Sequence, residues 1–284
     1  MTTTMTVNEQ IVALREKTGA GMMDCKKAIT ESNGDFDKAL ENLRKKGLAD
    51  AAKKSSRTTK EGVVGAWVSA DGKQGAMIEL LCETDFVAKT PDFQNLVKSL
   101  AQKAGEGKLA GIEAAAAEIQ PLIGKLGENM SLRRMDRFEL KSAGLLAHYI
   151  HPVGFKTGAF LHLECSSDAV AKHEATAELA KELGLQTVAS SPRWLTKEEV
   201  PAAEIEKEKE IYAVQLKNEG KPEANIPKIV EGKVNKLFFQ QQCLLEMVSV
   251  RDNKTPMSKL VTDAGQKAGG TIKAARFARY QLGA

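Results

Sequence analysis

The sequence predicts an α+β protein: an N-terminal three-helix module, a two-part α+β core with antiparallel sheets, and an antiparallel coiled-coil arm inserted into that core. Three observations carry this expectation. Three short amphipathic stretches, punctuated by glycine and Asn-Gly, precede residue 48. A hairpin followed by a helix then occurs twice. Between Pro192 and Cys243 a Glu- and Lys-rich segment carries only a narrow apolar stripe on each half. The divisions that follow are 1–48 for the module, 49–61 for a linker, 62–141 for the first core half, 142–190 with 240–284 for the second, and 191–239 for the arm.

In the module, Asn8 is placed to cap a first helix carrying Ile11, Val12, Leu14 and Arg15, which stops at Thr18-Gly19-Ala20-Gly21. A second helix carries Met22, Met23, Cys25 and Ile29 to the Asn33-Gly34 turn. A third carries Phe36, Ala39, Leu40 and Leu43 to Gly47, which reads as its left-handed cap. A bundle this small has a thin core and leaves apolar surface near its glycine loop. Met22 and Met23 suit adaptable protein contacts there, the alternative being that both are core. No strand precedes these glycines and no GK[ST] follows them, which argues against a phosphate cradle.

From Ala51 to Glu61 the chain carries no large apolar residue and reads as a linker with a helical start. A basic arm for RNA is the weaker reading, because Lys53, Lys54, Arg57 and Lys60 have no interleaved aromatics to stack on bases.

The first core half opens with Val63 to Val68, an Asp71-Gly72 turn and Ala76 to Leu81, a hairpin pattern. Glu83-Thr84-Asp85-Phe86-Val87-Ala88-Lys89 then joins the second strand to a helix that Thr90-Pro91-Asp92 opens with a cap-and-proline signature. A large aromatic flanked by acid, hydroxyl and base on a short connection between rigid elements is well placed for a working tip. The competing reading tucks Phe86 into its own core and leaves Asp85 merely to cap a turn. Helices over Phe93 to Ala104 and Ile112 to Leu126 and a strand over Met130 to Leu140 complete this half.

In the second half, Leu145 to His151 and Thr157 to Cys165 read as strands, followed by a helix from Asp168 to Leu183. The arm follows, with a helix from Thr196 to Gly220 whose stripe is Ile205, Tyr212 and Leu216. Its return helix carries Ile226, Ile229, Val230, Val234, Leu237 and Phe238. Such an arm suits a subunit interface, against a hairpin that packs only on itself. Beyond it, Leu244 to Val250 reads as a strand, Met257 to Ala264 as a short helix and Thr271 to Leu282 as a last strand able to complete the second sheet.

Composition narrows the function classes. With 27% charged and 5% aromatic residues and a formal charge of only +4 spread over 284 residues, the chain does not look like a nucleic-acid binder. Cys25, Cys82, Cys165 and Cys243 lie far apart with no C-x-x-C pair and read as small apolar core residues in a reducing compartment. Met1 to Thr6 has neither a basic nor an apolar leader region, and no apolar run approaches the roughly 20 residues needed to cross a bilayer. The expected place is the cytoplasm. His148 and His151 sit three apart in a predicted strand and point to opposite faces, so they do not share a metal ion. There is no nucleophile with a base and no metal cluster of the kind an enzyme needs.

Several stretches resemble the bacterial elongation factor Ts family. They are Leu14-Arg15, the run from Thr18 to Ala28, the Glu83 to Lys89 tip, Gly127-Glu128-Asn129 with Arg133-Arg134, Gly220-Lys221-Pro222 with Val230-Glu231-Gly232, and Arg276-Phe277. The resemblance implies a guanine-nucleotide exchange factor, not an enzyme, whose partner is the GTPase elongation factor Tu, with no cofactor, nucleic acid or membrane involved. It implies that Thr84, Asp85, Phe86 and Val87 disturb the partner's magnesium and phosphate site, the phenyl ring entering between two helices of the GTPase domain. Arg15, Gly19, Gly21, Met22 and Met23 in the N-terminal module are expected to hold the same domain from the side, while the second core half grips another. It also implies a homodimer through the arm. The family often continues with Gly-Glu and a further helix, whereas this sequence ends at Gly283-Ala284. A ubiquitin-associated-like binding module would account for only the first 48 residues.

Overall fold

The structure, a computed structural model, describes Met5–Ala284. Met1–Thr4, on which part of the reading of the N-terminus rests, and the side chains of Leu48, Asp50, Ala51 and Ala52 within the first helix-to-linker stretch lie outside the described residues.

Helices α1 (Val7–Thr18), α2 (Met22–Glu31) and α3 (Phe36–Lys54) form the N-terminal module around Ile11, Leu14, Cys25, Ile29, Ala39 and Leu43. The cap of α1 is Thr6 and not Asn8. Its hydroxyl accepts from Glu9 N at 3.3 Å while the Glu9 carboxylate accepts from Thr6 N at 2.7 Å, a reciprocal pair that Asn8 has no partner to make. Gly19 ends α1 in the left-handed region, with φ 67°.

Gly47 does not end α3, which runs on to Lys54. Helix α6 (Ala116–Leu126, below) lies alongside, and a Cβ on its Gly124 would stand only 3.7 Å from Gly47 Cα. Packing against that neighbour outweighs the cost of about 1 kcal/mol for a glycine within a helix.

Strands β1 (Glu61–Val68) and β2 (Gln74–Cys82) form the expected hairpin, followed by α4 (Asp85–Ala88), α5 (Pro91–Gly105), α6 and β3 (Met130–Glu139). The second half repeats the order: β4 (Gly144–Ile150), β5 (Thr157–Cys165), α7 (Asp168–Ala171) and α8 (Glu174–Ser190). The helix expected from Asp168 to Leu183 is therefore two, broken where His173 caps the second. The arm is α9 (Ala202–Asn218), α10 (Ile226–Lys233), a π-helical turn at Val234–Phe238 and α11 (Phe239–Gln242), after which α12 (Met257–Lys267) and β6 (Ile272–Gln281) close the chain.

The two sheets are antiparallel, in the orders β1-β2-β3 and β4-β5-β6, so the last strand does complete the second sheet. They pack face to face through Val64, Met77, Phe138, Leu146, Phe160 and Tyr280, with Phe138 stacked on Phe160 at 4.2 Å between ring centres. Helices α5 and α6 cover the outer face of the first sheet, and α8 and α12 that of the second. Glu79 on β2, fully buried, is bound by Arg133 and Arg134 and accepts from Gly283 N at 2.9 Å, which ties the end of the chain to the strand leading to the tip.

Two further expectations are corrected. Leu244 to Val250 is a series of turns with one isolated bridge, from Val248 to Pro256, not a strand. Leu244 and Met247 are consumed by the second core, and Val250 N donates to the Gln186 side chain at 2.8 Å, so no partner strand is available to the segment. Leu237, placed by periodicity on the inner stripe of the arm, is exposed, because the π-helical turn shifts the phase: Val234 and Phe238 stay inward as expected, and Phe239 joins them in place of Leu237.

Candidate functional site

The Glu83 to Lys89 stretch forms a turn capped at both ends. Thr84 is extended, with φ −125° and ψ 154°, and its hydroxyl accepts from Val87 N at 3.3 Å, which starts α4. Thr90 closes the turn: its hydroxyl donates to Val87 O at 2.8 Å and accepts from Phe93 N at 3.3 Å, opening α5. Gln94 donates to Ala88 O at 2.7 Å, so the last carbonyls of the short helix are also satisfied. Four residues held this way have a fixed phase. Val87 and Ala88 point into the core beneath, and Phe86 points away from it.

Phe86 is 79% exposed, so the reading that tucks the ring into its own core is excluded. Asp85 stands beside it, half-buried, and pairs with Lys89 at 2.5 Å. That hydrogen bond from Lys89 holds the Asp85 carboxyl below the ordinary carboxylate range. Below the turn Cys82 is buried, donates to Thr84 O at 3.1 Å, and has its thiol pushed up to about 12 by burial. It is packing, not a nucleophile.

The base of the turn is gripped by residues that the sequence reading passed over except as part of a motif. Glu128, in the turn between α6 and β3, accepts from Thr84 N at 3.0 Å and from the Thr84 hydroxyl at 2.7 Å. Asn129 N donates to the Glu83 carboxylate at 2.6 Å. Gly127-Glu128-Asn129 was visible in the sequence, but nothing local pointed to partners 44 positions away.

The other predicted site residues lie in the module. Arg15 is exposed near the end of α1, and its carbonyl accepts from Gly19 N at 2.7 Å. Gly19 lies under the Lys125 side chain, where a Cβ would come within 2.6 Å of Lys125 Cδ. Lys125 in turn pairs at 2.9 Å with Asp92, in the first turn of α5 immediately after the tip. Gly21 caps α2 without a side chain, and the methionines that follow are exposed, Met22 by 48% and Met23 by 76%. Neither is core. A cleft of about 390 Å³ between the module and α6, lined by Lys17, Thr18, Gly21, Asp24, Pro121 and Gly124 among others, lies beside them. The structure thus groups Thr84–Val87 on one turn and Arg15–Met23 on another element, with Lys125 reaching from one toward the other.

Among the described residues no group of three or more His, Cys, Asp and Glu is arranged to hold a metal ion. His151 is used locally, its Nδ1 accepting from Val153 N at 3.1 Å. No helix among the described residues is long and apolar enough to cross a membrane.

Comparison with known proteins gives a consistent result. The family profile described as "Elongation factor TS" matches residues 83–284, starting at the tip. A protein named elongation factor Ts from Clostridium botulinum (strain Alaska E43 / Type E3) is 44% identical over 97% of this chain and 92% of its own length. One of the same name from Clostridium kluyveri (strain ATCC 8527 / DSM 555 / NBRC 12016 / NCIMB 10680 / K1) is 41% identical over 98% of this chain and 93% of its own. One from Nitratidesulfovibrio vulgaris (strain DP4) is 43% identical over 95% and 93%.

Proposed function

The chain belongs to the elongation factor Ts family, and from that premise we propose that its Thr84–Val87 turn is the part that loosens nucleotide on the partner GTPase. The protein is the nucleotide-exchange factor for elongation factor Tu and not an enzyme: it makes and breaks no bond. The observation that carries the reading of the tip is the Phe86 ring, 79% exposed on a short helix whose next two residues are buried. A large apolar side chain presented to water from a doubly capped turn is unfavourable for the free protein and useful only if a partner covers it.

The turn supplies a division of labour. Val87 and Ala88 anchor it, Thr84 and Thr90 fix its ends, and Phe86 with Asp85 remains to enter the partner. Driven between two helices of the GTPase domain, the ring displaces the elements that hold magnesium and phosphate, and Asp85 carries negative charge toward a site already occupied by anions. The exposed Met22 and Met23, with Arg15, hold the same domain from the side. The second core half grips another.

Exchange requires the factor to bind the open partner more tightly than the nucleotide-filled one, and the weakening is reciprocal between factor and nucleotide. A thousandfold loosening needs roughly 4 kcal/mol of differential binding, whereas burying one phenyl supplies about 1.5–3 kcal/mol. The ring directs the strain, and the wider interface contributes the remainder. The test is release of a fluorescent GDP from elongation factor Tu: sub-stoichiometric amounts of this protein should accelerate it, and an unchanged release rate would sink the proposal.

A second reading concerns the arm. Ile211 and Val214 on α9 and Leu237 on the returning segment are exposed by 42%, 58% and 43%, although the arm has a buried stripe of its own. These outward apolar residues support a homodimer through the arm. Val214→Glu should shift the sedimenting species toward a monomer; a wild type that already sediments as a monomer ends this reading. The cytoplasm, where such a partner works, is the compartment that fits.

A further inference from the structure

We propose that Glu128 is a positioning residue for exchange: its carboxylate holds the Thr84 cap and thereby sets the direction in which Phe86 is offered. The inference rests on the reading of the tip given above. Both carboxylate oxygens are used on one residue, one accepting from Thr84 N at 3.0 Å and the other from the Thr84 hydroxyl at 2.7 Å. Among the described residues Glu128 has no ion pair, so this grip is its main polar engagement. A hydroxyl that donates to a charged acceptor has its lone pairs directed elsewhere, here to Val87 N at 3.3 Å, the first hydrogen bond of α4. The carboxylate therefore orients the cap, the cap orients the helix, and the helix orients the ring.

The same turn also holds the chain that arrives from the N-terminal module. Asn129, 7% exposed, donates through Nδ2 to Ser55 O at 3.3 Å and Arg57 O at 2.8 Å, and through its backbone N to Glu83 at 2.6 Å. Arg57 in turn lies 3.5 Å from Glu83. The base of the tip and the end of the linker are thus fastened at one point, so a pull on the module reaches Thr84 through two side chains.

A second observation, independent of these distances, separates positioning from ordinary stabilisation. The corresponding turn of the other core half, α7, is capped by the Ser167 hydroxyl accepting from Val170 N at 3.3 Å, and among the described residues no carboxylate holds that hydroxyl. That turn carries Ala169 where α4 carries Phe86. A strand-to-helix turn of this kind forms without the carboxylate; the grip is present at the turn that presents the ring.

The experiment uses the full chain and steady-state release of fluorescent GDP from elongation factor Tu, with Glu128→Ala, Glu128→Gln and Phe86→Ala. Glu128→Ala should lower the maximal rate about tenfold or more, since two hydrogen bonds to an ionised acceptor are lost. The half-saturating concentration should move less than about threefold, because the rest of the interface is intact. Glu128→Gln, which keeps an acceptor for Thr84 N, should recover part of the rate. Amide hydrogen exchange at Val87, Ala88 and Lys89 should quicken while that of Leu80 in β2 stays as it was. The proposal is overturned if the maximal rate is unaffected, if the half-saturating concentration rises with the maximal rate intact, or if exchange quickens throughout β2. If Phe86→Ala leaves release unchanged, the reading of the tip fails and takes this one with it. If Phe86→Ala slows release and Glu128→Ala does not, only the positioning role fails.

Discussion

The molecule contains its own control for the tip. Turns α4 and α7 each follow a strand whose register against its neighbour shifts by one residue, at Glu79/Leu80 in one and His162/Leu163 in the other. Each strand ends in a cysteine, each turn begins with a hydroxyl cap, and each continues Asp-x-Val-Ala-Lys. Val87 and Ala88 are buried in one, Val170 and Ala171 in the other. A threonine hydroxyl closes both, Thr90 donating to Val87 O and Thr176 to Val170 O. What differs is Phe86 against Ala169, the Glu128 grip, and the Asp85–Lys89 pair. The shared residues close a strand onto a helix and are used twice for that purpose. Function is concentrated in the position that the fold leaves free.

The largest effect that would test this contrast is on Phe86. Phe86→Ala should slow stimulated nucleotide release by roughly 10- to 100-fold, the equivalent of the burial energy of one phenyl. Because the ring is 79% exposed in the free protein, urea unfolding should change by less than about 0.5 kcal/mol. Early melting would mean that the ring serves its own fold, as a core phenylalanine does.

The anchors should behave in the opposite way. Val87→Ala and Val170→Ala each remove buried methyl groups and should cost about 1–3 kcal/mol in urea unfolding, by similar amounts in the two turns. A loss confined to Val87 would break the equivalence of the pair. The reciprocal graft is smaller in effect. Ala169→Phe should leave release unchanged and should not rescue Phe86→Ala, since no carboxylate among the described residues holds the cap of the second turn as Glu128 holds Thr84; rescue would show that any exposed ring serves.

The smallest expected effect is electrostatic. Asp85 has a carboxyl pKa lowered by the hydrogen bond from Lys89, and a carboxylate with a lowered folded value contributes stability above its unfolded value, about 3.9, that is lost as pH falls through the folded one. Between pH 5 and 8 exchange should therefore carry no titration from Asp85, and its contribution should fade only below about pH 4. Lys89→Met should raise the carboxyl toward its ordinary value in an NMR titration while changing release at pH 7 by less than about twofold, as expected for an exposed i,i+4 pair. A carboxyl that titrates unchanged in that variant would assign the lowering to another group.

Much of the candidate site was legible in the sequence. The end of β2, the Thr90-Pro91 start of α5 and the flanked aromatic between them were readable because caps and prolines act within three or four residues. The direction of Phe86 was not readable, since an alternation of buried and exposed residues over a four-residue helix offers too little periodicity to assign a face. Met22 and Met23 were left undecided between core and surface because they stand in the first turn of α2, where adjacent apolar residues do not fix which face is buried.

The order of elements, the hairpins, the doubled core and the place of the tip were determined by the sequence alone, because hydrophobic period, turn residues and capping pairs are properties of neighbours along the chain. Tertiary structure decided the rest. It carried α3 through Gly47 by packing it on α6, turned Leu237 outward by a phase shift in the arm, and denied Leu244–Val250 a strand to pair with. It also put Glu128 on Thr84 across 44 residues. Each of these outcomes depends on which distant group stands nearby once the core has closed, and contacts at that separation leave no local periodicity to read.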